Sequence, residues 1–231
     1  MFDGKKKIVT FSYDDGITQD RRFIKLLNNY GLKCTFNINS ELLGQPGSLI
    51  RNDVTVSHVK PRAEEIAKIY KGHEVAAHTL THPFLPNLDD EEIIRQVEQD
   101  RINLSELVGY EVVGMAYPCG GENNNDRVAK IIKENTGVKY ARTIVSSHSF
   151  EPQENLYRFN PTVYHMQHEK MMELGNEFIN LQPDSPKLFY IWGHTYEFDS
   201  VDGWEKFEDF CKLISNREDI YYCTNKEAFG F

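Results

Sequence analysis

The chain has 231 residues and a formal net charge of -9 at pH 7. This length can bury a substantial core, and we expect one domain over residues 1–231. The acidic balance argues against a nucleic-acid partner, because phosphate backbones are bound by clustered lysine and arginine side chains. No stretch approaches the length of a membrane span and the N-terminus has no apolar signal segment, so we expect a cytoplasmic protein without membrane contact.

The four cysteines, Cys34, Cys119, Cys211 and Cys223, are far apart in the sequence. They form no Cys-x-x-Cys pair, and their density is too low for a disulfide scaffold. The pattern therefore predicts free thiols in a reducing compartment.

Apolar strand-like runs alternate with helical patterns along the whole chain. The predicted strands cover residues 8–13, 33–38, 74–77, 112–117, 138–144, 156–164, 188–192 and 220–223. The predicted helices cover residues 22–30, 61–70, 89–108, 126–134, 169–181 and 203–215. Glycine follows the first two helices, and the spacing of Asp89 and Glu92 predicts a capping box at the start of the third.

This alternation predicts parallel strand pairing through right-handed crossovers. With about seven or eight parallel strands and their surrounding helices in one domain, we expect a closed or partly closed β/α barrel. No low-complexity linker divides the chain.

Polar residues follow the predicted strands at their C-terminal ends. Asp14 and Asp15 follow the first strand, His78 follows the third, Arg142 lies near the end of the fifth and His194 follows a late strand. Barrel enzymes build their sites at this edge of the sheet, so we expect these side chains to meet in one active site.

The Asp-Asp-Gly segment at residues 14–16 and the pair His78 and His82 suggest a catalytic metal site. One aspartate and two histidines can hold one divalent cation and leave positions open for water, while the second aspartate is free to act as a base. Adjacent strand residues point to opposite faces, so both aspartates can share one site only where the strand ends and turns, as Gly16 allows. Pro83 disfavours a regular helix at His82.

Four segments carry a family resemblance. They are residues 11–16 (FSYDDG), 72–83 (GHEVAAHTLTHP), 117–120 (YPCG) and 191–194 (IWGH). In order and rough spacing they resemble the motifs of the polysaccharide deacetylase family, the NodB homology domain of carbohydrate esterase family 4. The resemblance covers nearly the whole chain.

The resemblance implies a single distorted β/α barrel that hydrolyses the acetamide of a sugar with a bound metal. It implies that Asp14 is the general base and His194 the general acid, and that the backbone near Cys119 helps to hold the oxyanion. The metal ligands would be Asp15, His78 and His82. One divalent ion is expected, zinc by default, although cobalt, nickel, manganese and iron also accept this ligand set.

The chain also departs from the family pattern. Ala116 stands where the family has an arginine, and we find no match to the fourth motif. We hypothesise that Arg142 replaces the missing arginine and keeps Asp14 ionised and oriented. Trp192 stands where a leucine is usual, so the wall that faces the acetyl methyl would be bulkier.

We expect the substrate to be a small saccharide or a glycoconjugate precursor. Tyr117, Trp192 and Tyr196 are candidates to stack on a sugar ring, although each could equally be a core residue. The acidic charge of the chain favours a neutral or cationic ligand over a polyanionic glycan. The sequence leaves the oligomeric state open.

Three other functions compete with sugar deacetylation: hydrolysis of another non-peptide C-N bond, binding of carbohydrate without turnover, and a structural role. The presence of both Asp14 and His194 argues against the last two. His165 and His168 lie near a predicted helix start, and we expect solvated or capping roles for them.

Overall fold

The computed structural model describes residues 2–231. Its strands are β1 (Lys7–Asp15), β2 (Thr35–Ile38), β3 (Ser48–Arg51), β4 (Val54–Ser57), β5 (Glu74–Ala77), β6 (Gly114–Ala116), β7 (Tyr140–Arg142), β8 (Val163–Tyr164), β9 (Lys187–Gly193) and β10 (Ile220–Tyr222). Its α-helices are α1 (Asp20–Asn29), α2 (Ile66–Ile69), α3 (Asp90–Ile94), α4 (Asp100–Val108), α5 (Asp126–Asn135), α6 (His168–Asn180), α7 (Gly203–Ile214) and α8 (Asn225–Phe229). A π-helical turn, Arg95–Gln99, joins α3 to α4.

Eight strands form one parallel sheet in the order β7-β6-β5-β2-β1-β9-β8, and β10 also pairs with β1. Along one edge of β1, Lys7–Val9 pairs with β10 and Ser12–Asp15 pairs with β2. A single parallel bridge between Arg142 and Phe159 connects β7 to the segment that leads into β8. The sheet therefore curls into a distorted barrel, which confirms the predicted fold class.

Strand β1 lies in the middle of the sheet and is buried along its whole length. Val9, Phe11 and Tyr13 pack outward in the main hydrophobic core, where Phe23 of α1 and Phe207 of α7 also lie. The residues of β1 that lie between these three and after Tyr13 face the barrel interior, since successive side chains on a strand point to opposite sides. This interior face places Asp14 at the top of the barrel.

Two predicted elements were wrong in part. The strand expected over residues 156–164 begins as a 3-10 turn at Leu156–Arg158, and its strand pairing is limited to the isolated bridge at Phe159 and to Val163–Tyr164. Pro161 has no N-H for a strand ladder, and the Asn155 side chain accepts from Tyr157 N and stabilises the turn instead. The helix expected over residues 61–70 is a 3-10 turn followed by the single turn α2.

The capping box expected at the third helix is only half formed. The Asp89 side chain accepts from the backbone N of Glu92 at 2.9 Å, but the Glu92 carboxylate turns to Arg95. This pairing leaves the Asp89 carboxylate as the cap of the first turn of α3.

The hairpin β3–β4 and the helix α8 were not predicted. Asn52 and Asp53 connect the two hairpin strands with φ angles of 49° and 60°, as a two-residue type I′ turn requires. The hairpin strands pair only with each other and add no strand to the barrel sheet. No helix within residues 2–231 combines the length and the apolar character that a membrane crossing requires.

Candidate active site

A cavity of about 520 Å³ opens at the C-terminal ends of the strands. The structure brings nine of the ten residues predicted for the site to its wall: Asp14, Asp15, His78, His82, Tyr117, Cys119, Trp192, His194 and Tyr196. The tenth, Arg142, contacts the Asp14 carboxylate. Residues from most of the parallel strands therefore converge on one site.

Asp14 is held on the interior face of β1 by two neighbours. Asn37 on β2 donates its amide to Asp14 Oδ1 at 2.8 Å, and Arg142 Nη2 lies 2.5 Å from Asp14 Oδ2. Arg142 is 1% exposed, and its guanidinium lies 4.6 Å from the centre of the Trp192 ring. This buried ion pair fixes the orientation of the Asp14 carboxylate.

Asp15 turns into the same cavity because the backbone leaves strand geometry at this residue. Its φ angle is 81°, and Gly16 follows at 57°. A Cβ atom on Gly16 would lie 2.9 Å from the Ile38 side chain, so this turn favours glycine for both its conformation and its space. The turn resolves how two adjacent aspartates can face one site.

The two oxygens of the Asp15 carboxylate have different neighbours. Oδ1 lies 3.8 Å from His78 Nε2 and 3.6 Å from His82 Nε2, while Oδ2 lies 3.0 Å from His58 Nε2. Burial alone would raise the pKa of Asp15, but the hydrogen bond with His58 and the charge of Lys60 hold it well below its usual value. Lys60 donates to the backbone O of Asp15. Asp15 is therefore a carboxylate at neutral pH.

The Nε2 atom of His78 faces the cavity and carries a free lone pair. Its Nδ1 bonds to the backbone O of Ala116 at 2.9 Å, which assigns the ring proton to Nδ1. Burial lowers the pKa of His78 to about 4 and also lowers the pKa of His82. Both histidines are thus neutral, which is the form that binds metal.

The loop that carries the two histidines is anchored to the long helical segment behind it. The backbone N of His78 donates to Asp100 Oδ2 at 2.9 Å, and the backbone N of Leu80 donates to the O of Gln96 at 3.0 Å. Gln96 lies in the π-helical turn, a feature often found at functional sites. The distorted helix therefore supports the histidine loop.

The geometry of this cluster fits a metal ion. Asp15, His78 and His82 each offer one ligand atom, and these three atoms lie within 4.8 Å of one another. Ligands at 2.0–2.1 Å in a tetrahedral site would be roughly 3.4 Å apart, close to the separations from Asp15 Oδ1. Two imidazoles and one carboxylate could hold zinc or a related divalent ion.

His194 lies on the other side of Asp14, with Nε2 at 4.0 Å from Asp14 Oδ2. Glu197 Oε2 accepts from the backbone N of His194 at 3.0 Å and lies 3.1 Å from its Nδ1. Burial opposes protonation of His194, but the Glu197 carboxylate outweighs it and raises the pKa of His194 to about 9. His194 can therefore carry a proton into the cavity at neutral pH.

Glu197 is part of a longer buried chain of hydrogen bonds. His165 Nε2 lies 2.8 Å from the same oxygen, and His165 Nδ1 lies 2.8 Å from the Tyr13 hydroxyl. Tyr164 donates to the other Glu197 oxygen. The expectation of a solvated or capping His165 was wrong, because this residue is buried and helps to fix Glu197.

A family model for polysaccharide deacetylases matches residues 3–141. The chain belongs to the polysaccharide deacetylase family. Three solved structures show how far the deacetylase fold extends along the chain. A Mycobacterium smegmatis protein assigned as a polysaccharide deacetylase has a TM-score of 0.68 at 15% identity over 97% of this chain and 89% of that one.

The chitin deacetylase of the fungal pathogen Colletotrichum lindemuthianum has a TM-score of 0.60 at 19% identity, over 98% of this chain and 89% of that one. The Streptococcus pyogenes deacetylase PplD has a TM-score of 0.55 at 19% identity over 68% of this chain. That match spans 64% of the PplD chain. No curated protein sequence gave a significant match.

In this member of the polysaccharide deacetylase family, Tyr117, Cys119 and Trp192, which were predicted to contact substrate, lie in the cavity wall. Tyr117 donates its hydroxyl to the backbone O of Tyr157 at 2.7 Å. Cys119 has a φ angle of 70° and its Sγ lies 3.5 Å from the backbone O of His82. Trp192 stacks on Tyr164 with 4.6 Å between ring centres. Within residues 2–231, its buried indole N-H has no hydrogen-bond acceptor.

Sequence reasoning missed four residues of the site: Arg51, His58, Lys60 and Glu197. Three of them lie on or just after the unpredicted hairpin. The alternation Val54-Thr55-Val56-Ser57 after Asn-Asp was the available signal for that hairpin. The His-x-x-Glu spacing of His194 and Glu197 was the available signal for the fourth residue.

Proposed function

We propose that this protein is a metal-dependent deacetylase that removes the N-acetyl group from an acetamido sugar or a small oligosaccharide. The observation that carries the proposal is that Asp14 and His194 line the same cavity as the cluster of Asp15, His78 and His82. A base, an acid and a set of metal ligands thus share one cavity. Membership of the polysaccharide deacetylase family supports the same chemistry.

The ligand set is Asp15, His78 and His82. A divalent ion bound there would polarise the amide carbonyl and lower the pKa of a water molecule. Zinc is the default, and cobalt, nickel, manganese and iron fit the same donors.

Asp14 takes the proton from the attacking water. Its carboxylate is held by Arg142 and Asn37, so it faces the cavity in one orientation. His194 delivers a proton to the departing amine, because an amide nitrogen leaves poorly unless it is protonated. Glu197 keeps His194 protonated and fixes the ring by its Nδ1.

The cavity wall supplies the substrate contacts. The backbone near Cys119 would help to bind the oxyanion, and Trp192 would lie against the acetyl group or the sugar ring. A saccharide or a glycoconjugate is therefore the expected partner.

The test of the proposed function has two measurements. Metal content is compared between the wild type, His78→Ala and the control His168→Ala, which removes a histidine outside the cavity. We expect the loss of bound metal only in His78→Ala, and equal content in all three would refute the ligand assignment. Acetate release is then measured with N-acetylglucosamine, its oligomers, nucleotide-linked acetamido sugars and an insoluble polymer.

Asp14→Asn is the variant that tests the chemistry. It should retain metal and lose about two to four orders of magnitude in turnover, the usual contribution of a general base. Near-normal turnover would show that another residue is the base. Ammonia release from other amides, with no acetate from any acetamide, would assign the protein to another class of C-N hydrolase.

A further inference from the structure

The hairpin β3–β4 brings a cation to the side of the cavity where His194 lies. Arg51, the last residue of β3, lines the cavity with its Nη2 3.4 Å from the Tyr196 hydroxyl and its Cζ 5.4 Å from the centre of the Tyr196 ring. The Tyr196 ring lies 5.1 Å from the His194 ring. In the proposed reaction His194 faces the departing amine, so Arg51 lies on the sugar side of the scissile bond.

Arg51 differs from the other cations of the site in its partners. Lys60 contacts Asp15, and Arg142 contacts Asp14. In the described part of the chain, residues 2–231, Arg51 makes no ion pair with an aspartate or a glutamate; its side-chain contacts are the backbone O of Ile50 and Tyr196. Its guanidinium therefore remains available to a ligand.

The cavity is less acidic than the chain as a whole. Three carboxylates line it, those of Asp14, Asp15 and Glu197. They face three basic side chains at the site, those of Arg51, Lys60 and Arg142. A bound divalent ion would make the cavity positive, although the whole chain carries -9. Salt screens remote charges beyond roughly 8 Å, so the local charges decide which ligand is preferred.

We propose that the substrate is an acetamido sugar with an anionic substituent, a carboxylate or a phosphate, and that Arg51 binds this group. The inference rests on the proposed function, because it uses the position of the leaving amine. It replaces the expectation of a neutral or cationic ligand, which was drawn from the net charge of the chain alone. A planar guanidinium suits both anions, since it can donate two parallel hydrogen bonds to either.

The test compares matched sugars on the metal-loaded protein. N-acetylglucosamine is the neutral substrate, N-acetylmuramic acid supplies a carboxylate, and N-acetylglucosamine 6-phosphate supplies a phosphate. The measured quantity is the ratio of kcat/KM for each acidic sugar to that for the neutral sugar. Arg51→Gln is compared with Arg62→Gln, which removes the same charge from an exposed site outside the cavity.

We expect the wild type to prefer at least one acidic sugar, and the carboxylate and phosphate arms identify which. Arg51→Gln should lower that ratio about tenfold, the size of a charge-assisted hydrogen bond. Arg62→Gln should keep the wild-type ratio. No acidic preference in the wild type, or the same ratio in Arg51→Gln, would overturn the inference.

Binding measurements separate this inference from the proposed function. Calorimetry on metal-loaded Asp14→Asn, with and without Arg51→Gln, measures the preference for the acidic sugar without turnover. If no acetamide is hydrolysed but Arg51 still determines the binding preference, the proposed function is wrong, and the inference that Arg51 binds the anionic group is retained. If acetate is released but no acidic sugar is preferred over the neutral one, the inference about Arg51 is wrong and the proposed deacetylase function is retained.

Discussion

Replacement of Glu197 by glutamine should move the ionisation of His194 towards neutral pH. The Glu197 carboxylate contacts both the ring and the backbone N of His194. Although burial opposes the charge, the pKa of His194 is raised from 6.5 to about 9. This rise corresponds to a preference of roughly 3 kcal/mol for the imidazolium form. Glutamine is nearly the same size but carries no charge, so the opposing effect of burial and the smaller effects of the Asp15 and Asp14 charges would remain.

The size of the effect follows from the protonated fraction of His194. At pH 8 a group with a pKa of about 9 is about 90% protonated, whereas one with the ordinary value of 6.5 is about 3% protonated. If His194 is the general acid, Glu197→Gln should therefore lower kcat about 30-fold at pH 8 and have little effect at pH 6. The wild type should lose activity only as the pH rises through about 9.

The assay is the pH profile of kcat for acetate release in the wild type, Glu197→Gln and Glu177→Gln. The last variant removes an exposed carboxylate from α6 and should behave as the wild type. An NMR titration of the His194 ring follows the same ionisation without turnover. An alkaline limb at the same pH in Glu197→Gln and the wild type, with an unchanged titration, would refute the reasoning.

Three further substitutions test other parts of the site. Arg142→Met leaves a buried carboxylate without its counter-ion, and should cost about 3–5 kcal/mol in the free energy of unfolding, measured with urea, as well as activity; unchanged stability would contradict the buried pair. Gly16→Ala forces a Cβ against Ile38 at positive φ and should cost about 1–3 kcal/mol, whereas Gly121→Ala, at positive φ with open space, should cost less. His58→Ala should weaken metal binding about tenfold in a chelator competition, and equal affinity would exclude its support of the ligand.

The sequence was sufficient to predict those strands and site residues that short local patterns mark. Strands such as β5 are marked by short apolar runs, and the polar residues directly after them fall at the same edge of a parallel sheet. Asp14, His78 and His194 could be placed in one cavity for this reason. Arg142 could be placed near them because it ends a strand of the same sheet.

The rest depended on contacts between distant parts of the chain. His58 meets Asp15 across 43 residues and His165 meets Glu197 across 32, and no local periodicity encodes either pairing. The hairpin that positions His58 has mostly exposed strands, so it lacks the apolar run that marks a buried strand. Pattern reasoning therefore found the sheet and its edge but not the elements folded over it.

The hairpin β3–β4 also has a consequence for redesign. Its backbone ladder closes on itself, so the eight-stranded sheet does not depend on its length or its exposed side chains. Its length and exposed positions can therefore be varied, provided that Val56 keeps its packing against Ile17 and Tyr196 and that the His58 to Lys60 segment keeps its contacts with Asp15. A library confined to residues 48–55 would vary the sugar-facing rim while Asp14, Asp15 and the histidine loop stay constant.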